Sequence, residues 1–245
     1  MDSVSSTINI WISSVCQSPE GMTYLMNAIV SCLVLEQPLK VVVSIFTDQN
    51  LDPIRRLFES GNKEYQICVR DRPYTQFEHI EALTQEQSLT DDDWVIFLDD
   101  DDMLLNSALK YLSKDINGYV GYQFIPEYQG SILPGSTDLS ITNLYPFIQN
   151  NYRKMIQADD FSGTAIRFKY LKQFFVERKK ETLPANSVRK WALDVIESLS
   201  DTQLMKYIEK VVPNTLKLYM DPTVNPFVYH RLKPTPSIWR QQLGI

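Results

Sequence analysis

Residues 94 to 105 run Trp-Val-Ile-Phe-Leu-Asp-Asp-Asp-Asp-Met-Leu-Leu, an apolar stretch that ends abruptly in four consecutive carboxylates. A buried strand running straight into Asp99, Asp100, Asp101 and Asp102 crowds like charges where a sheet would end. Two such charges about 4 Å apart repel by roughly 1 kcal/mol in water and about 4 kcal/mol at an effective dielectric of 20. The crowding makes sense around a cation. Oxygen donors suit hard ions such as Mg²⁺ or Mn²⁺, which usually share their coordination shell with substrate phosphates. In parallel α/β sheets, ligands bind beyond the carboxyl ends of the strands. Were the chain to stay extended through the row, Asp99 and Asp101 would point to one side, roughly 7 Å apart at Cα, and Asp100 and Asp102 to the other. The plain alternative is a solvated acidic turn, or an N-cap for a helix starting near Leu104. The preceding Asp91-Asp92-Asp93 reads as the cap of a solvated loop.

The elements that must position this row alternate regularly. Ile8–Val15, Leu39–Phe46, Tyr65–Val69 and Trp94–Leu98 are β-branched or apolar runs expected to be strands, and the continuous run LKVVVSIF suits a strand buried on both faces. Helices are expected from about Pro19 to Glu36, Pro53 to Ser60 and Tyr74 to Gln87. This β-α-β-α-β-α-β rhythm implies a parallel sheet. Further on, 118–125 and 165–168 suit strands, and helices are expected near 169–180, 186–199 and 201–211. Residues 126–140, with Gly130, Pro134, Gly135 and Ser136, suit a loop. The tail from Val212 carries Pro213, Pro222, Pro226, Pro234 and Pro236, which exclude one long helix and suggest an extended segment wrapping the body.

The chain has 245 residues, 44% hydrophobic and 22% charged, with a net charge of -6. That composition excludes disorder over most of its length and allows a full core. An acidic balance without Lys/Arg runs argues against nucleic-acid or membrane-surface binding. Cys16, Cys32 and Cys68 are too few and too scattered for a disulfide framework or a zinc site. No signal peptide or span-length apolar stretch is evident, so a cytoplasmic protein without a membrane span is expected.

The strand–DDDD–ML segment resembles the Asp-x-Asp motif of nucleotide-sugar-dependent glycosyltransferases with the GT-A fold, nearest to the large inverting family 2. The order of elements over about residues 8–110 is similar too, and the remainder only loosely so. Small glycosyltransferases encoded by large algal viruses are similar in size and in this motif. The resemblance implies a Rossmann-like α/β single domain over 1–245, its mostly parallel central sheet flanked by helices. Residues 1–110 would form the nucleotide-sugar-binding half, and 111–245 the acceptor-side half with its wrapping tail. It implies a UDP-sugar donor, Mn²⁺ or Mg²⁺, and a glycan or glycoprotein acceptor.

Residue by residue, the resemblance places Ser13, Ser14 and Val15 in the loop facing the nucleotide. Asp48 would meet the base, although it also suits an Asx turn. Asp101 would hold the metal. Asp99 would hold ribose or the metal's water shell, and the division of labour among Asp99, Asp100, Asp101 and Asp102 stays open. Arg70 and Arg72, ending the third strand, suit diphosphate contacts or surface ion pairing with Asp71. The family often carries Arg-Asn in the following helix, where this chain has Gln76, Glu78 and His79. His79 reads as structural. The base that deprotonates the acceptor would be Asp201, opening a helix, ahead of Asp160 with its neighbour Asp159; Asp201 also suits an N-cap. In the tail, His230 would add a metal ligand and Arg231 a diphosphate contact.

Two other functions fit parts of the sequence. A nucleotidyltransferase shares a related sheet and acidic metal ligands. That class usually places a Gly-rich loop with Arg and Lys after its first strand, where this chain has Ser13-Ser14-Val15-Cys16-Gln17-Ser18. A non-catalytic nucleotide-sugar or cation-binding module is the third reading. A phosphatase with an Asp nucleophile is disfavoured because Met103 stands where its Asp-x-Asp-x-Thr pattern requires Thr.

Overall fold

The apolar runs fold into strands whose pairing is set by which faces they must bury. A computed structural model describes residues 6–126, 155–179, 200–220 and 228–229. Strands β1 (Ile8–Cys16), β2 (Lys40–Thr47), β3 (Glu64–Val69) and β4 (Trp94–Asp99) are mutually parallel. Helices α1 (Pro19–Leu33), α2 (Asp52–Ser60) and α3 (Gln76–Glu86) connect them. After β4 come β5 (Met103–Leu104), α4 (Asn106–Leu109), β6 (Gly118–Pro126), β7 (Met155–Arg167), α5 (Phe168–Lys179), α6 (Ser200–Lys210), β8 (Thr215–Met220) and β9 (Val228–Tyr229). The main sheet has seven strands in the order β3-β2-β1-β4-β7-β6-β8. Only β7 runs against its neighbours β4 and β6, while β8 is parallel to β6. This is a mostly parallel, Rossmann-like sheet flanked by helices, as the sequence led us to expect.

Helix ends follow local chemistry. Ser18 caps α1 by accepting from the Gly21 amide, with Pro19 in its first turn. Thr75 and Glu78 form a reciprocal capping box on α3. The strands bury both faces. Ile10, Ile12, Val41, Val43, Ile96 and Leu98 pack on one side with α1 and α2. Trp11, Val42, Val95 and Phe97 pack on the other with α3, α5 and α6. Trp11 meets Phe97 and Phe168 edge-on, and Phe97 stacks on Phe161 at 4.8 Å. Cys16 and Cys32 are buried free thiols and Cys68 is a half-buried one.

Several expectations need correction. The strand expected at 165–168 begins at Met155 and becomes the antiparallel partner of two others, while Phe168 opens α5. The segment after Val212 does not merely wrap the body, because Thr215–Met220 adds β8 to the main sheet. The loop expected at 126–140 (beyond Pro126) and the helix expected near 186–199 lie outside the described residues. Among the described residues no helix is long and apolar enough to cross a membrane.

The reversed strand carries an irregularity that matters for the site. Tyr119 faces Ala165 and Gly121 faces Asp160, so Phe161–Thr164 bulges opposite Val120 alone. Gly163 in the bulge has φ 84°, where an L side chain is strained. Gly163→Ala is expected to cost about 1–2 kcal/mol, read as a Tm lowered by a few degrees. An unchanged Tm would show that the bulge does not depend on glycine.

Candidate functional site

The strand order reverses direction between β1 and β4, since β2 and β3 lie on one side and β7 on the other. The crevice beyond the carboxyl ends of two such strands is where ligands settle in open α/β sheets. Ser13 pairs with Asp99 across this junction, so the end of β1 and the start of the acid row are register partners.

The row does not stay extended. The Asp102 amide donates to the Asp99 carbonyl at 3.2 Å, closing a turn over Asp99–Asp102. The expected alternation of side chains therefore does not apply through the row. Both ends of the turn are held. The Asp99 amide donates to the Ser162 Oγ at 2.9 Å, from the bulge of β7. The Asp99 carboxylate accepts from the Gln76 amide, on the first turn of α3. Asp100 accepts from the Ser14 hydroxyl at 2.7 Å. Just past the turn, the Leu104 amide donates to Ser31 Oγ of α1 at 2.9 Å. Asp102 is buried, while Asp99, Asp100 and Asp101 are half-buried.

This arrangement follows from the strand pleat. Successive residues alternate faces, so Asp99 turns toward α3 and Ser14 lies on the same face as Ile10 and Ile12, toward α1. Two fixed, hydrogen-bonded anions thus leave the strand end on different sides.

Asp48 follows β2 and is exposed, with Gln49 Nε2 donating to its Oδ1 at 2.8 Å. Asp48 makes no Asx turn by this bond, which comes from a side chain; the Gln49 amide goes to Thr47 Oγ1 instead. It stands at the same sheet edge, because Cys16 pairs with Thr47. Burial above all pushes the Cys16 thiol up, and the charges of Asp100 and Asp48 add to that. Both carboxylates therefore bear on the thiol that ends β1. Val15 lies between, half-buried.

Arg70 and Arg72 have partners other than Asp71. Arg70 grips both oxygens of Glu86 at 2.6 and 3.0 Å and donates to Ser44 Oγ at 2.7 Å, its side chain only 7% exposed. Arg72 pairs with Glu78 at 2.7 Å and lies over the Tyr74 ring. His79 is buried against Ser44, Nδ1 to Oγ 2.7 Å, and burial brings its pKa down to about 4. It is neutral at pH 7 and structural, as the sequence suggested. Asp93 is no solvated cap, because its buried carboxylate accepts from the Thr7 and Thr90 amides. Asp91 and Asp92 face solvent and pair with Lys172 and Lys169.

The candidate bases are placed by backbone alone. Asp160 and Asp159 pair with Gly121 and Tyr122 on the stretch of β7 that precedes Ser162, toward the acid row. Asp201 is the second residue of α6. A short connection leads from the end of α6 to the start of β8, which is parallel to β6. His230 and Arg231 lie outside the described residues. The residue before them, Tyr229, pairs with Met103, which directly follows Asp102.

Among the described residues, no three His, Cys, Asp or Glu side chains converge as a ready-made metal cage. A Mg²⁺-type ion does not require one, since it is commonly held by one or two carboxylates with substrate phosphates completing the shell. The hard oxygen donors of the turn fit that mode. Ser162 and Gln76 are contributors that sequence reasoning left without a role. Gln76 stands out in the sequence only as a departure from a family pattern.

No family model matches the sequence, and no curated protein is significantly similar to it. Solved structures do share its fold. A 4-diphosphocytidyl-2C-methyl-D-erythritol synthase is similar over 99% of this chain and 98% of its own, at 11% identity and a TM-score of 0.53. TarS of S. aureus is similar over 93% of this chain but only 37% of its own, at 14% identity and a TM-score of 0.50. The fold is GT-A-like. At such identities the likeness is one of architecture.

Proposed function

We propose that the chain is a metal-dependent glycosyltransferase of the hexosyltransferase type. It would pass a sugar from a nucleoside-diphosphate sugar, most simply a UDP-sugar, to a hydroxyl of a glycan or glycoprotein, with inversion. The observation that carries this reading is the carboxylate turn Asp99–Asp102, fixed by Ser14, Gln76 and Ser162 at the switch point of a GT-A-like sheet.

In this reading Asp99, Asp101 and Asp102, with His230, hold the divalent ion. Its chemistry there would be to stabilise negative charge on the departing diphosphate. Asp99 and Asp100, with Ser13, Ser14 and Val15, line the nucleotide side, and Asp48 meets the base. Arg72 and Arg231 serve the diphosphate. Arg70, proposed for the same contact, has its guanidinium already engaged by Glu86 and Ser44. Asp201 takes the acceptor proton, with Asp160 as the competing candidate and Asp159 beside it. Removing a general base lowers rates by about 10²–10⁴-fold. Asp201→Asn is expected to lose transfer by that order while still binding donor, and Asp160→Asn to keep most of it; the reverse pattern would move the role to Asp160.

A nucleotidyltransferase is the second reading, favoured by the architectural likeness to the diphosphocytidyl synthase. Against it stands the first connection. β1 ends at Cys16 and α1 starts at Pro19, leaving only Gln17 and Ser18, with no Gly, Lys or Arg to cradle a triphosphate. The assay that separates the two uses Mn²⁺. UDP released from a UDP-sugar supports the first reading, and pyrophosphate released from a nucleoside triphosphate with a sugar phosphate supports the second. Equal turnover with Mn²⁺ and with EDTA would end the metal claim for both.

A further inference from the structure

We propose that Gln76 is a positioning residue that aims Asp99 within the carboxylate turn, an inference that rests on reading the turn as a divalent-metal site. Its Nε2 donates to Asp99 Oδ1 at 2.5 Å, across 23 residues of sequence. An ionised carboxylate only accepts, so the amide nitrogen must be the end that faces it.

The helix turn that carries Gln76 is itself fastened. Thr75 and Glu78 close a capping box around it, and Glu78 is also held by Arg72. One residue on from Glu78, His79 is bonded to Ser44 in the middle of the sheet. Phe77, next to Gln76, is buried among aromatic rings of α5. The amide therefore projects from a fixed point. On the opposite side of Asp99, Ser162 fixes its backbone amide. A carboxylate gripped at both backbone and side chain keeps one orientation.

The choice of a neutral donor has a physical reason. Arg or Lys at this place would pair with Asp99 and compete with a cation for its charge. An amide fixes one oxygen and leaves the negative charge for the ion. Partners that hydrogen-bond a ligating carboxylate typically contribute about 10–100-fold in metal affinity.

The test uses the full chain and Mn²⁺, with free ion measured by electron paramagnetic resonance in the presence of UDP. Gln76→Met keeps length without the donor, and Gln76→Asn keeps the donor on a side chain one carbon too short. Both are expected to weaken Mn²⁺ binding by about tenfold or more, with Tm unchanged. If both variants hold Mn²⁺ as tightly as the wild type, the positioning role is overturned and the site stands. If binding weakens only in step with a fallen Tm, Gln76 merely stabilises α3 and the proposal fails. If the wild type itself takes up no Mn²⁺ with UDP, the reading of the turn as a metal site fails, and the inference with it.

Discussion

Asp101→Ala is expected to lower Mn²⁺-dependent hydrolysis of a UDP-sugar by on the order of 10²–10³-fold while the protein melts as the wild type does. Metal stabilisation of charge in a transition state supplies several kcal/mol, and each 1.36 kcal/mol is about tenfold in rate. Asp101 sits at the tip of the turn, half-buried between anchored neighbours. Removing it leaves the Ser14–Asp100, Gln76–Asp99 and Ser162–Asp99 bonds in place and relieves repulsion among four like charges. Those anchors are expected to keep the turn in place. Hydrolysis that survives the substitution undiminished would remove Asp101 from the metal set. A collapsed Tm would instead make the turn a structural device.

The second large effect is on stability. Arg167→Met is expected to cost about 3–4 kcal/mol and to lower Tm by roughly 10 °C in a chain of this size. Arg167, at the end of β7, is 5% exposed. Its guanidinium lies 4.1 Å over the Trp94 ring and donates to the backbone carbonyls of Ile116, Asp92 and Ser113. Those carbonyls belong to loops on both sides of the strand, so one planar fork ties together segments that the sheet ladder does not reach. Methionine fills the volume but leaves the carbonyls without their donor. Arg167→Lys should fall between the two, because a single ammonium cannot span all three. Equal Tm values for the wild type and Arg167→Met would show that water satisfies these carbonyls at no cost.

The first four strands and three helices were legible because each carries its own local signal. The runs INIWISSV and LKVVVSIF bury both faces wherever they pair, and Ser18-Pro19 and Gly61 punctuate helices without outside help. The acid row was legible as a candidate site for the same reason, since carboxylates placed after a buried strand advertise themselves. Its shape was not. Whether Asp102 turns back to Asp99 depends on anchors at Ser31, Gln76 and Ser162, all remote in sequence. Arg70 shows the same limit. Its neighbour Asp71 was the visible partner, whereas Glu86, a helix-length away, holds it. The prolines after Val212 told what the tail could not be. That Thr215–Met220 would lie beside β6 is a long-range choice no local pattern encodes.

The small ladder between β5 and β9 ties residues 228–229 to the segment that follows the acid row. Met103 and Leu104 leave the carboxylate turn and are at once clasped by Val228 and Tyr229. Among the described residues two pairs make that clasp, and it sits directly against the row of four carboxylates. A defect introduced there, such as a proline at 228 or 229, would be felt first by the turn and last by the seven-stranded body. Late-chain sequence thereby bears on the shape of a turn that lies more than a hundred residues earlier.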